Sequence, residues 1–171
     1  MERIIIISDT HNNQFLLRKV LSVEQKYQYL FHLGDNYEDL DSNLDLIKGV
    51  KLHKVPGIYH RGYLNGRLTA IKTVEIHSWK FLIVHDLKDY IRNSVEAEIV
   101  CYGHTHQFNL EKQGKKLFLN PGHLKDLQDK GRIASYAVLE IDNKMIRIEI
   151  KDIEQKILKE LEIYKQNPEV K

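Results

Sequence analysis

Four apolar runs in this sequence are each followed by aspartate or histidine, and this repeated pattern constrains the fold more than any other feature. The runs are residues 4–7, 29–33, 81–84 and 99–102, and the polar residues that follow them are Asp9 and His11, Asp35, His85, and His104 and His106. Ligands of open α/β sheets bind beyond the carboxyl ends of the strands. The pattern therefore predicts one shared site at one edge of a sheet.

Secondary-structure patterns alternate strand and helix in the first half and give mainly strands in the second. Strands are predicted over residues 3–7, 29–33, 51–55, 68–76, 80–84, 99–102, 116–119, 135–141 and 145–150. Helices are predicted after Asn12 or Asn13 with Leu16, Leu17, Val20 and Leu21 as the apolar face, over residues 40–48, and over residues 153–164. This order favours an α/β fold in which two sheets pack face to face with helices outside.

Length and composition predict an ordinary globular protein. The 171 residues favour a single domain over residues 1–166, with a frayed tail at 167–171. The net charge of +2 and the scattered basic residues give no strong nucleic-acid signal. No apolar run reaches bilayer length, and the N-terminus enters a strand with no secretory pattern. With Cys101 as the single cysteine, a cytoplasmic location is predicted.

The mixture of carboxylates and imidazoles is typical of a transition-metal site. In extended backbone, residues i and i+2 point to the same side, so Asp9 with His11, and His104 with His106, can each reach one ion. Oxygen and nitrogen ligands together suit Mn, Fe, Zn, Ni or Co better than Ca or Mg. Six candidates favour two ions bridged by a carboxylate. Such a pair, about 3.5–4 Å apart, promotes in-line attack on phosphorus by metal-bound hydroxide.

Read in order, the motifs resemble those of the calcineurin-like metallophosphoesterases, in particular their small bacterial and archaeal phosphodiesterase branch. The motifs are Asp9-x-His11, Gly34-Asp35, the strand-end His85, Gly103-His104-Thr105-His106 and Asn120-Pro121-Gly122. The resemblance spans about residues 3 to 150. It implies a four-layer α/β/β/α sandwich of two mixed β-sheets flanked by helices, with a dinuclear site between the loops of the sheets.

The resemblance also implies a ligand set and an activity. One metal is expected to bind Asp9, His11, Asp35 and His106; the second is expected to bind His85 and His104, with Asp35 as the bridge. The implied activity is hydrolysis of a phosphodiester, or a phosphomonoester, with two divalent ions, Mn first and Ni, Fe, Zn or Co as alternatives. The expected partner is a small phosphate ester, and self-association is common in small members.

One position departs from the family pattern. Ile58 stands where the family has an asparagine that ligates the second metal, and an alkyl side chain cannot bind a metal. Water can fill the place, His60 or Asn65 can reach in, or the second metal binds weakly. His60 is also a candidate general acid or substrate contact. His123, where the family usually has serine, is a second departure.

Two other functions stay open at this level. The Ile58 replacement favours a catalytically weak or inactive binding scaffold, a role that the same fold has in the retromer complex. Retention of the six other ligands favours the enzyme. A single structural metal is the third alternative, although one ion would leave ligands unpaired. His32, His53 and His77 match no family ligand and are interpreted as structural or surface residues.

Overall fold

Thirteen strands and three short helices make up the computed structural model, which describes residues 1–24, 26–93 and 95–165. The strands are β1 Glu2–Ile7, β2 Tyr29–His32, β3 Lys51–Lys54, β4 Ile71–Ile76, β5 Trp79–Val84, β6 Ile99–Cys101, β7 Asn109–Gln113, β8 Lys116–Asn120, β9 Gln128–Asp129, β10 Arg132–Ile133, β11 Ser135–Ile141, β12 Met145–Asp152 and β13 Ile157–Tyr164. The helices are α1 Gln14–Val23, α2 Arg61–Leu64 and α3 Leu87–Asn93, with a 3₁₀ helix at Asp39–Asn43. Residues 167–171, the expected tail, lie outside the described residues.

Both large sheets are mixed. The first has the strand order β13-β12-β11-β1-β2-β3, in which β1, β2 and β3 are parallel and β11 is antiparallel to β1. The second has the order β4-β5-β6-β8-β7, in which β5, β6 and β8 are parallel. Parallel neighbours have their carboxyl ends at the same edge of a sheet. The loops that leave β1 and β2 therefore start side by side, and so do the loops that leave β5 and β6.

Three apolar clusters define four layers. Alternate residues of β1 separate two of them: Ile4 and Ile6 face the space between the sheets, whereas Ile5 and Ile7 pack under α1. The third cluster lies on the far face of the second sheet, beneath α3. Helix, sheet, sheet and helix follow one another, which confirms the predicted α/β/β/α sandwich.

The first helix forms as predicted. The side chain of Asn13 accepts a hydrogen bond from the backbone N–H of Leu16, which is the N-cap interaction. The four apolar residues of the expected face, Leu16, Leu17, Val20 and Leu21, are buried against the first sheet. Among the described residues, no helix combines the length and the apolar character required to cross a bilayer.

The helix predicted over residues 153–164 is wrong, because Ile157–Tyr164 forms the edge strand β13, antiparallel to β12. Leu158 lies at a register shift between the two strands, and Leu158, Leu161 and Ile163 all pack partly against the inter-sheet core. A bulge allows residues three apart to share a face of a strand. The spacing therefore imitates a helical face, and the free hydrogen-bonding edge of β12 decides for the strand.

The helix predicted over residues 40–48 is also wrong in type, since a 3₁₀ helix at Asp39–Asn43 is followed by turns. The side-chain amide of Asn43 donates to the carbonyl of Asp39 at 2.8 Å. In an α-helix the carbonyl of Asp39 would accept from the backbone N–H of Asn43. The side chain of Asn43 takes that acceptor instead and so competes with helix formation. The strand expected at 68–76 begins only at Ile71. Sequence reasoning also missed α2, β7, β9 and β10.

Candidate metal centre

The six side chains singled out from the sequence converge where β1, β2, β5 and β6 end. His11 is central to the first group: its Nε2 lies 3.2 Å from Asp35 Oδ2 and 3.1 Å from His106 Nε2. His106 Nε2 in turn lies 3.4 Å from Asp9 Oδ1. Ligand atoms of these four residues all lie within 4.8 Å of one another. This spacing suits a single cation held by two carboxylates and two imidazoles.

A second group shares Asp35 with the first. Asp35 Oδ1 lies 3.5 Å from His85 Nε2, while its other oxygen faces His11. The ring of His104 lies edge-on to the ring of His85, with centroids 5.1 Å apart. Asp35 therefore presents one oxygen to each group.

Two buried atoms of the cluster lack the partners that buried polar atoms usually have. Asp9 Oδ1 and His85 Nε2 make no hydrogen bond within the described part of the chain. Asp9 is fully buried and His85 is 1% exposed, and such groups are normally satisfied. His85 Nδ1 donates to the carbonyl of Leu33 at 2.8 Å, so Nε2 carries no proton and its lone pair is available to a metal ion. Each of these two atoms is suited to bind a divalent cation.

The backbone reaches this geometry in a conformation that the sequence pattern did not suggest. Five of the six residues have positive φ: Asp9 at 52°, His11 at 45°, Asp35 at 50°, His104 at 67° and His106 at 58°. The extended i, i+2 argument was therefore wrong in mechanism: a turn brings Asp9 and His11 into one group, whereas His106 joins that group and the ring of His104 lies against that of His85. Left-handed non-glycine residues cost about 1–3 kcal/mol each and cluster at functional sites. Tight turns, not continued strands, aim these side chains.

Three glycines let the loops approach closely enough. A Cβ on Gly57 would lie 2.0 Å from Asp35 Oδ1, and one on Gly103 would lie 2.0 Å from Ser8 Oγ. A Cβ on Gly34 would lie 2.5 Å from His85 Nδ1. None of these separations is compatible with a side chain larger than hydrogen, so the glycines are steric requirements of the site.

The electrostatics of the cluster favour an ionised Asp9. Burial opposes ionisation of Asp9, but contact with His106, the nearby His85 and the hydrogen bond from Ser8 outweigh it, and its pKa is lowered. Contact with Asp9 raises the pKa of His106 against the effect of burial. Burial lowers the pKa of His11 despite the neighbouring Asp35. The cluster thus places an ionised carboxylate among imidazoles, a donor set that suits a cation.

Sequence reasoning missed Asp129, which contacts the cluster from outside. Its Oδ2 lies 2.7 Å from His106 Nδ1, and its Oδ1 accepts from Lys125 Nζ at 2.9 Å. The Lys125 ammonium, together with His106, holds the pKa of Asp129 well below its usual range. The turn residues Lys130 and Gly131 both have positive φ, as in a tight two-residue hairpin. Lys-Gly is not a usual hairpin dipeptide, and nothing in the spacing links this turn to His106.

Ile58 is half-buried and directly follows Gly57, whose backbone lies against the carboxylate of Asp35. Asn65, one of the residues considered for the missing ligand, instead accepts from the backbone N–H of Arg67 at 3.0 Å. In this structure its side-chain oxygen is therefore engaged within its own turn.

His60 has both ring nitrogens engaged. Its Nδ1 accepts from the backbone N–H of Gly62 at 2.9 Å and so caps α2. Its Nε2 lies 2.8 Å from Glu38 Oε1, which places the ring proton towards that carboxylate. Use of His60 as a ligand or an acid requires the contact with Glu38 to open.

Two further histidines, His32 and His123, support the loops around the cluster. His32 is fully buried, with Nε2 3.1 Å from Asp39 Oδ1, and its Nδ1 accepts from the N–H of Gly34 just before Asp35. His123 is also fully buried, stacks near the ring of His106 at 5.4 Å, and lies 3.1 Å from the carbonyl of Arg132. Both nitrogens of His123 are used within its loop, which leaves neither for a phosphate.

Comparison with known proteins shows the family. Residues 2–144 match the model of the calcineurin-like phosphoesterase superfamily domain. The "Probable metallophosphoesterase YsnB" of Bacillus subtilis is 24% identical over 163 residues, covering 87% of this chain and 90% of that protein.

Solved structures share the fold. A conserved protein of Streptococcus pneumoniae TIGR4, described as a predicted phosphoesterase, has a TM-score of 0.71 and 26% identity, covering 96% of this chain and 98% of the other. Vps29 of Entamoeba histolytica, complexed with Zn²⁺, has a TM-score of 0.68 and 21% identity, covering 95% and 98%. The second likeness concerns the fold alone. The family match over most of its length shows that this chain belongs to the calcineurin-like phosphoesterase superfamily.

Proposed function

We propose that this protein is a metal-dependent phosphoesterase that hydrolyses a phosphodiester at a dinuclear centre. The observation that carries the proposal is the position of Asp35, which presents one carboxylate oxygen to His11 at 3.2 Å and the other to His85 at 3.5 Å. A carboxylate shared in this way suits two neighbouring cations. The unpaired Asp9 Oδ1 and His85 Nε2 support the same arrangement.

Each side chain has a role in the proposal. Asp9, His11 and His106 hold one ion, His85 and His104 hold the other, and Asp35 bridges them. Two divalent ions in this position would polarise the phosphoryl oxygens and supply hydroxide at neutral pH. Manganese, nickel, iron, zinc and cobalt all suit the mixed donor set.

His60 is the candidate for the general acid. If His60 protonates the leaving oxygen, its Nε2 proton must first leave the contact with Glu38. The role of His60, the preference for phosphodiesters over phosphomonoesters, the cytoplasmic location and self-association all stay predictions.

A binding scaffold is the second candidate, and Ile58 is the observation that favours it. With an alkyl group at the family's asparagine position, the second ion has fewer protein ligands, and a structure that binds partners needs no turnover. The six retained donors and the strained turns that aim them favour catalysis, since backbone strain of this kind persists mainly at functional sites.

Metal content and hydrolysis discriminate the two. The purified protein is stripped with chelator, reloaded with Mn²⁺ or Ni²⁺, and assayed for bound ions and for hydrolysis of bis(p-nitrophenyl) phosphate, with p-nitrophenyl phosphate as the monoester comparison. We expect two ions per chain, and turnover that is lost on chelation and restored by metal. One ion or none, with no turnover in any metal, would support the scaffold instead.

A further inference from the structure

The hairpin formed by β9 and β10 holds the loop between His104 and His106 from outside the cluster. Asp129 in β9 contacts His106 Nδ1 at 2.7 Å, and the side chain of Arg132 in β10 donates to the carbonyl of Thr105 at 2.6 Å. The hairpin therefore contacts the backbone of this loop as well as one of its imidazoles.

The two groups of the centre differ in this outer support. His106 has an anionic partner on Nδ1, the carboxylate of Asp129. His85 has a neutral one, the carbonyl of Leu33 at 2.8 Å. A partner on one ring nitrogen sets which nitrogen carries the proton and which presents a lone pair to a metal. A carboxylate hydrogen-bonded to Nδ1 also makes the imidazole a stronger electron-pair donor to a metal than a backbone carbonyl does.

Lys125 completes the arrangement around Asp129. Its ammonium binds Oδ1 at 2.9 Å, which leaves Oδ2 directed at His106. The side chain of Asp129 is only 12% exposed, so little water competes for these oxygens. The carboxylate is thus fixed in orientation before any ion binds.

We propose that Asp129 is a positioning residue that holds His106 in its Nδ1–H form, with the Nε2 lone pair directed into the group of Asp9, His11 and Asp35, and that its charge makes this group the tighter of the two metal sites. The inference rests on the proposed function only for the premise that the cluster binds divalent ions. It predicts stepwise loading, with the first ion at the His106 group and the second at the His85 group.

Three variants test the role of Asp129, with Mn²⁺ and Zn²⁺ affinity measured by calorimetry and chelator competition. Asp129→Asn keeps an oxygen acceptor but removes the charge, and Asp129→Ala removes both. Asp126→Asn is the matched control, because Asp126 is an exposed carboxylate of the same loop that accepts from the N–H of Leu127. We expect a loss of about 10–100-fold in first-ion affinity for Asp129→Ala, a smaller loss for Asp129→Asn, and less than twofold for Asp126→Asn.

A spectroscopic readout separates positioning from general damage. In protein loaded with one equivalent of diamagnetic Zn²⁺, ¹⁵N–¹H correlations of the His106 ring should show an Nδ1–H that exchanges slowly with solvent in the wild type and in Asp129→Asn, and one that exchanges faster in Asp129→Ala. Thermal unfolding checks that each variant folds, and Asp129→Asn serves if Asp129→Ala does not. First-ion affinity within twofold of the wild type in a folded Asp129→Asn and Asp129→Ala would overturn the inference.

The proposed function can fail separately. If the wild type binds two ions without hydrolysing any ester, while Asp129→Ala still loses first-ion affinity, the positioning role stands and the catalytic proposal falls. If the wild type hydrolyses phosphodiesters and the variants bind metal normally, the reverse holds.

Discussion

Asp9 and Glu24 are both buried carboxylates, but the protein provides cationic side chains only for Glu24. The oxygens of Glu24 accept from Arg3 at 2.6 Å, from the hydroxyl of Tyr136 at 2.8 Å and from Lys151 at 3.2 Å. Asp9 has no lysine or arginine beside it in the described chain, and its Oδ1 makes no hydrogen bond there.

The comparison distinguishes a buried charge that is paired within the fold from a buried charge that remains available to a ligand. A buried charge is costly unless it is paired and hydrogen-bonded, and Glu24 meets that condition within the fold. Asp9 instead faces imidazoles that are themselves potential ligands. We infer that the stability of the chain depends on the Glu24 cluster, and that its activity depends on the Asp9 cluster. Substitutions in one cluster should leave the property that belongs to the other intact.

The largest expected effect is that of Asp35→Asn on activity. The amide removes the negative charge from between His11 and His85, so we expect phosphodiester hydrolysis to fall by about 10³-fold or more. Asp41→Asn is the control, since Asp41 is an exposed carboxylate further along the same loop. Steady-state kinetics in saturating Mn²⁺ measure both. Wild-type rates in Asp35→Asn would show that this carboxylate is not the bridge.

Glu24→Gln should destabilise the protein without reducing its activity. The variant removes the charge of a largely buried carboxylate that Arg3, Tyr136 and Lys151 share, while Arg3 keeps its contact with Glu140 and Lys151 keeps Glu149. Because the shared bonds are charge-assisted, we expect a cost of about 3 kcal/mol in the free energy of unfolding. Denaturant titration measures it, and Glu154→Gln is the control because Glu154 forms an exposed pair with Lys19. A loss of activity at unchanged stability would reverse the assignment of roles.

The same variant should alter the pH dependence of stability. Burial opposes ionisation of Glu24, but the bonds from Tyr136, Arg3 and Lys151 outweigh it, so its pKa in the folded protein lies below the usual 4.5. A lowered pKa contributes stability above the unfolded value, and the contribution disappears as pH falls through the folded value. The difference between wild type and Glu24→Gln should therefore be full near pH 6 and shrink below pH 4.5.

Gly57→Ala tests the steric side of the site. The new methyl group would lie 2.0 Å from Asp35 Oδ1, so the carboxylate must move. Displacement by about 1 Å can cost about 10²-fold in rate, and we expect a loss of that size in hydrolysis. Metal content and thermal unfolding are measured alongside, to distinguish a displaced ligand from an unfolded chain. Unchanged kinetics would mean that Asp35 has room to move without consequence.

The smallest expected effect is a gain. Ile58→Asn restores an amide at the position where the resemblance places a ligand, so we expect the second ion to bind about tenfold more tightly, roughly 1.4 kcal/mol. Ile58→Leu keeps an alkyl side chain and should change nothing. Titration with Mn²⁺ after the first ion is bound measures the effect. An unchanged second-ion affinity would count against a vacancy at Ile58.

Much of the fold followed from local patterns. The continuous apolar run of β1 required burial on both faces, and the capping residue and apolar spacing of α1 specified its start and its packing face. The ends of four apolar runs pointed to one shared site, because parallel strands end at the same edge. These features depend on residues close together in the sequence, for which spacing is a sufficient guide.

Other features depended on contacts between distant parts of the chain. The helical pattern of residues 157–164 became a strand because β12 offered an unpaired edge and a register shift accommodated Leu158. The left-handed turns at Asp9 and Asp35 arise where loops meet, and no spacing rule predicts them.

The contacts that hold the buried side chains from outside were likewise not predictable from residue spacing. Asp129 reaches His106 across 23 residues, and Lys151 reaches Glu24 across 127. Residue types and their order along the chain were enough to name the candidate ligands and the family they resemble. Which nitrogen of each imidazole is free, and which buried charge already has its counter-charge, depends on three-dimensional proximity, because hydrogen bonds and ion pairs act between atoms only a few ångströms apart.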